Sequence, residues 1–193
     1  MKQLRPSAGR LARYGGATAG FLAVALIGGS TVLAQDGDTP AEPATITMEA
    51  QGKRLVFDGP ETVQKGDELR IVNDTSVRRH GPHTFSLVKQ SLLPDGPKEF
   101  RRCFTPGRIC MEIALAHKFN PRTEKIGKPV VNAGARGWNR SFNGKRNGDS
   151  WYTEKKDDSF TRRVTASAGS TLSFICAVHP DMQGEIEVVA GDQ

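Results

Sequence analysis

Phe174-Ile175-Cys176-Ala177-Val178-His179-Pro180-Asp181-Met182-Gln183-Gly184 brings a thiolate, an imidazole and a thioether together within seven residues. One strong soft donor, one borderline donor and one weak soft donor make a set that suits copper cycling between its two oxidation states. Zinc fits the ligand types as well, although a structural zinc site more often uses paired Cys or His at both ends. The flanks, Thr171–Ile175 before and Glu185–Val189 after, are short and rich in β-branched and apolar residues. They read as strands, so the donors sit on a tight connection between two sheet elements. Pro180 restricts the chain next to His179, and Gly184 reads as the residue that lets it turn tightly out of the loop.

Further upstream, Thr45–Glu49, Arg54–Phe57 and Leu69–Val72 show β-type alternation or β-rich composition, with turns at Asp58-Gly59-Pro60 and Lys65-Gly66-Asp67. Several short strands at this spacing indicate an antiparallel sandwich.

Cys-x-x-His-x-x-Met followed by x-Gly, between two C-terminal strands, resembles the copper loop of the cupredoxins, the small blue copper proteins of the amicyanin and plastocyanin kind. Val63–Asn73 resembles that family's Gly-Asp turn and the alternating strand that ends at Asn just upstream of the first histidine. The likeness covers Thr45–Val88 and Ser159–Val189. It implies an all-β, cupredoxin-like Greek-key β-sandwich holding one copper ion as Cu(I) or Cu(II). It also implies a further histidine from an earlier strand, for which His83 in Gly81-Pro82-His83-Thr84-Phe85-Ser86-Leu87-Val88 has the matching context. The implied ligand set is His83, Cys176, His179 and Met182, with Met182 as the long, weak axial ligand. His80, before a Gly-Pro pair and beside Arg78 and Arg79, is the runner-up and reads as a solvated loop residue. His117, after a short helical stretch around Cys110–Lys118, reads as exposed. Asn73 either hydrogen-bonds across the two ligand loops, as its counterpart does in relatives, or is a structural strand-end residue.

Residues 1–34 read as a signal peptide: Lys2, Arg5, Arg10 and Arg13 precede apolar Ala17–Ile27, and Val32-Leu33-Ala34 presents a cleavage site. An uncleaved membrane anchor is the other reading. Residues 35–44 read as a flexible, Pro-containing segment, and 45–190 as a single domain interrupted by an insertion at 89–158. That insertion is largely irregular, rich in Gly, Asn, Pro and charge. It holds 15 Lys and Arg against 8 Asp and Glu, net +7. With the leader removed the rest of the chain is acidic, which takes away most of the support that a pI near 9.4 lends to nucleic-acid binding. Trp138, Phe142, Trp151 and Tyr152 read as anchors of the insertion on the core, ahead of a ligand-binding role. Cys103 and Cys110, seven apart in an exported segment, read as a disulfide, with free thiols or a second metal site as the alternatives.

Four protein donors leave no obvious open position, which suits the passage of one electron better than bond chemistry. A binuclear copper centre needs a second Cys in this loop, and a multicopper oxidase needs His-x-His pairs; the sequence has neither. The expectation is therefore a periplasmic or secreted monomeric electron carrier, not an enzyme, serving redox protein partners. An acidic docking surface on those partners follows if the basic insertion lies beside the copper end. A copper delivery or storage protein with the same ligands is the alternative. A third reading, with the insertion as a substrate-recognition module of an enzyme, requires an open coordination position.

Overall fold

Alternation of apolar and polar residues decides most of the strands, and the computed structural model describes residues 42–191 other than Ala135 and Arg146. The stretch expected as a signal peptide, 1–34, and residues 35–41 of the segment expected to be flexible lie outside the described residues. The elements in chain order are β1 (Ala44–Gln51), β2 (Arg54–Asp58), β3 (Thr62–Gln64), β4 (Glu68–Asn73), α1 (Val77–His80) and β5 (His83–Val88). There follow α2 (Gly96–Arg102), α3 (Ile109–Ala116), β6 (Phe119–Asn120), β7 (Lys125–Ile126), β8 (Asn132–Ala133) and β9 (Ser150–Thr153). The chain ends on β10 (Asp158–Arg163), β11 (Thr171–Ile175) and β12 (Gln183–Val189).

Two sheets form the expected sandwich, ordered β10-β4-β1-β2 and β3-β12-β11-β5-β9-β8. Their facing side chains alternate as the sequence does: Ile46 and Met48 from β1, Leu69 and Ile71 from β4, Ile186 and Val188 from β12 are all buried in one core. Phe57 of the first sheet meets Phe85 and Phe174 of the second edge-on at 5.6 and 5.1 Å between ring centroids. The fully buried apolar side chains among these contribute on the order of 1.5–3 kcal/mol each, and Phe57, partly buried, contributes less.

Pairing is mixed where an antiparallel sandwich was expected, because β1 runs parallel to β4 and β3 parallel to β12. The cause is a change of sheet. After β2 the chain gives β3 to the second sheet, then turns through Lys65-Gly66-Asp67 and re-enters the first beside β1.

Segment 89–158 contributes short pieces of regular structure set in irregular chain, and the helix expected around Cys110–Lys118 is α3. It covers the outer face of the second sheet. Val88, Ile175 and Ala177 pack there against Ile109, Cys110, Ile113 and Phe142 in a second cluster. With both faces covered, every residue of β5 and of β9 is buried, as in sheets flanked by helices. Trp138, Phe142, Trp151 and Tyr152 are buried, as anchors should be. Arg162, nearly buried, lies 4.7 Å over the Trp138 ring and 3.7 Å from Asp149, whose carboxylate accepts from the Asn139 and Arg140 amides. The expected disulfide joins Cys103, at the end of α2, to Cys110 on α3.

Gly184 has a different reason from the turn read for it. It lies inside β12 opposite Phe174, and a Cβ there would stand 2.5 Å from Phe174 Cε2. Gly184→Ala is expected to cost about 1–3 kcal/mol by displacing that ring, read as a lower denaturation midpoint at unchanged m-value. Thiol titration of the denatured, metal-free protein is expected to find one reactive thiol, Cys176, before reductant is added.

Candidate metal centre

His83 opens β5, and Cys176 follows the last residue of the neighbouring β11. The two strands pair antiparallel with Ile175 opposite Ser86, so the ends carrying the two donors lie side by side. Backbone bonds hold the following loop closed: His179 N–H donates to Cys176 O at 3.2 Å, Met182 N–H to His179 O at 2.8 Å and Cys176 N–H to Met182 O at 2.9 Å. The Gln183 amide adds bonds to Pro180 O at 2.7 Å and to Pro94 O at 2.9 Å. His179 is thereby turned back over Cys176, and Met182 is brought beside it with its side chain buried in the sandwich core.

Cys176 Sγ lies 3.7 Å from His83 Nδ1 and 3.5 Å from His179 Nδ1. One donor atom from each of the three residues lies within 4.8 Å of the others. Metal–sulfur and metal–nitrogen bonds of about 2.3 and 2.0 Å, meeting between tetrahedral and trigonal angles, require S···N separations of about 3.5–3.7 Å. The observed spacing fits a first-row metal without rearrangement. His83 Nε2 is buried and has no hydrogen-bond partner among the described residues, which leaves Nδ1 as its directed atom. Two imidazoles and one thiolate, with Met182 nearby and no carboxylate among the grouped donors, favour copper over zinc, calcium or magnesium. Such a trio is typical of a type 1 copper site.

The chain is similar to several solved blue copper structures. Amicyanin from Paracoccus versutus aligns at 14% identity and TM-score 0.35, covering 78% of this chain and 85% of that one. Auracyanin from Roseiflexus castenholzii aligns at 15% identity and TM-score 0.39, covering 75% and 96%. Auracyanin A from Chloroflexus aurantiacus aligns at 19% identity and TM-score 0.36, covering 76% and 98%. No family model matches the sequence, and no curated protein matches it. The chemistry of the site rests on its own donor geometry.

Electrostatics keep the donors neutral and ready. Burial, then His179 and His80, push His83 down to about 4. Burial also lowers His179, opposed by a ring hydrogen bond to the His80 backbone. The Cys176 thiol is raised by burial, while hydrogen bonds from the Thr84, His179 and Val178 backbone and the Thr84 side chain oppose that rise. A bound metal replaces the proton on sulfur, and the same donors then stabilise the thiolate.

Two sequence expectations change, for His80 and His117, and the choice left open for Asn73 falls to its structural strand-end role. His80 is half-buried at the end of α1, against the site, rather than a solvated loop residue. His117 is fully buried rather than exposed, because segment 89–158 closes over it. Its Nδ1 bonds Val130 O, and its Nε2 lies 2.7 Å from Ser150 Oγ. Asn73 does not bridge the ligand loops. It accepts from Thr75 and donates to Lys155 O at 2.8 Å, fixing the turn between β9 and β10. The bridge comes from Thr84, which sequence reading missed. Its backbone N–H lies 3.4 Å from Cys176 Sγ, and its hydroxyl accepts from Ala177 N–H at 2.8 Å. Adjacency to His83 is the only signal the sequence gives for it.

Lowered histidines make the metal-free fold acid-sensitive. The unfolded chain binds protons near pH 6.5 that the folded chain refuses, so the stability is full above that range and is lost as pH falls toward 4. His83 alone is expected to remove roughly 2–3 kcal/mol by pH 4, and urea midpoints of the metal-free protein between pH 7 and 4 check it.

Proposed function

We propose that the chain is an exported, mononuclear type 1 copper protein of the cupredoxin kind. His83, Cys176 and His179 bind the ion, Met182 is its weak axial ligand, and the protein carries single electrons between redox partners. The observation that carries this reading is the convergence of three buried or half-buried donor atoms within 4.8 Å, at separations a metal requires, on a loop already closed by its own hydrogen bonds. A preformed site of this kind lowers the rearrangement needed between Cu(I) and Cu(II), because the protein holds the donors in place in either state. With Met182 filling the remaining position, no place is left for a substrate, and the role is that of a carrier in the periplasm or outside the cell.

His179 is the natural route for the electron. It is half-buried with Val178 and Pro180, and Ala177 before them is buried. A small apolar rim around a half-buried ring suits brief docking. The net +7 segment 89–158 supports steering toward acidic partners. Some of its residues, Phe119, Lys125 and Tyr152 among them, line a cavity together with Pro82, Ala177 and Val178, and so adjoin the proposed copper loop.

Copper-loaded protein is expected to show intense visible thiolate-to-Cu(II) absorption and a reversible one-electron couple. Cys176→Ser should abolish the band, since a hydroxyl cannot replace the thiolate. Met182→Leu should keep copper and raise the potential, because an apolar side chain disfavours the more highly charged ion. Colourless protein that binds only Cu(I) would instead assign it to copper delivery or storage.

A further inference from the structure

The second sheet and the segment laid over it leave a cavity of about 410 Å³ between them. That volume lies within the range of small-molecule sites and well above the roughly 150 Å³ that takes up one benzene ring. Thr84, Ala114, His117 and Tyr152, all buried, form its floor. Half-buried Pro82, Phe104, Phe119, Ile126 and Val178 form the walls, and exposed Glu124, Lys125 and Glu154 stand at the mouth.

The polar atoms of the floor are already engaged. Thr84 Oγ1 accepts from Ala177 N–H at 2.8 Å and from the Ser86 hydroxyl at 3.1 Å, and the Ser86 and Ser150 hydroxyl oxygens are 2.6 Å apart. His117 Nε2 lies 2.7 Å from Ser150 Oγ and its Nδ1 bonds Val130 O, while the Tyr152 hydroxyl donates to Glu154. Burial, then Glu154, push that hydroxyl above its ordinary range, so it stays a donor at neutral pH. An occupant meets a floor with no hydrogen bond to offer, and the part of it lying there must be apolar.

The walls favour a flat ring. Phe104 and Phe119 meet edge-on at 6.2 Å between ring centroids, and His117 and Tyr152 lie 5.5 Å apart. Rings of both pairs border the space, and they bind another aromatic ring better than a saturated one of equal size. Phe119 and Ile126 face each other across β6 and β7, which pair only with one another, so this wall stands apart from the two large sheets. The mouth supplies the polar end. Two carboxylates against one ammonium disfavour an anionic head, and the Glu154 carboxylate can accept further bonds beside that from Tyr152. Glu124 holds a left-handed backbone, φ 53°, so a carboxylate stands where the turn itself favours glycine.

We propose that this cavity binds a flat aromatic molecule of one or two rings that carries a hydroxyl, with the rings between the half-buried walls and the hydroxyl donating to Glu154 at the mouth. The site does not depend on the copper reading. Its occupant nevertheless packs against Pro82 and Val178, the chain neighbours of His83 and His179.

Naphthol titrated into the full, metal-free chain tests the site, followed by backbone amide resonances. Saturable shifts at Phe119, Ile126 and Val178 are expected, with a dissociation constant on the order of 0.1 mM. Decalol, the saturated analogue, is expected to bind about threefold more weakly, and naphthoate about tenfold more weakly. Ala114→Phe places a ring in the cavity and is expected to abolish binding. Glu154→Gln, at the surface, is expected to weaken naphthol about tenfold and to relieve the discrimination against naphthoate; it decides alone if the larger ring at 114 prevents folding. Naphthol that moves none of these resonances overturns the proposal. So does decalol or naphthoate binding as tightly as naphthol, a folded Ala114→Phe protein that still binds, or an unchanged affinity in Glu154→Gln. Shifts at the same residues on raising the protein concentration alone would give the cavity to a second copy of the chain and overturn the assignment as well. Because the chain is metal-free throughout, a failure to take up copper leaves the result standing.

Discussion

The register between β5 and β11 is the constraint on which the rest depends. Ile175 faces Ser86 across that pair, and a slip of one residue would turn every side chain of a strand to the other face. His83 would then leave the donor group and Thr84 would lose its bond to the Ala177 amide. The large aromatic residues hold the register. Phe85 and Phe174 lie 4.7 Å apart between ring centroids in the sandwich core, and Phe85 also meets Trp138 at 5.1 Å. A shift that exposed either ring would forfeit more free energy than any alternative pairing could return.

Covering the outer face of the second sheet changes what its polar residues do. In a sandwich open to water, Thr84, Ser86 and Ser150 would be hydrated. Here α3 and the chain after it exclude solvent, so the hydroxyls must satisfy one another and His117, and an unsatisfied member would cost about 1–3 kcal/mol. The added layer is therefore tied to the metal end of the domain by directed bonds as well as by apolar contact.

Much of this was legible in the sequence. Thr45–Glu49, Arg54–Phe57, Leu69–Val72, Thr84–Val88 and the two C-terminal strands carry the period of a half-buried strand, and all appear. His83, Cys176 and His179 were expected together and come together, because a short loop between paired strands leaves little freedom. The missed role of Thr84 and the misplaced His117 share one cause. Thr84-Phe85-Ser86-Leu87 alternates as though one face met water, and His117 stands in a stretch rich in charge and glycine. Only the folding of 89–158 onto the sheet buries both. Gly184 was read from its place in a turn, whereas the ring of Phe174, ten residues away in sequence and opposite in the sheet, is what excludes a side chain.

Burial of Cys176 also governs how long the metal-free chain can wait. The molecule carries a disulfide between Cys103 and Cys110 and, among the described residues, a single unpaired thiol. Exchange between them requires a thiolate that can approach a disulfide sulfur. Cys176 is fully buried and its thiol is held protonated by that burial, so it is a poor attacking group in its own fold and a poor target for oxidants. Before any ion arrives, the chain is thus chemically quiescent in oxidising surroundings, with its one reactive sulfur stored intact.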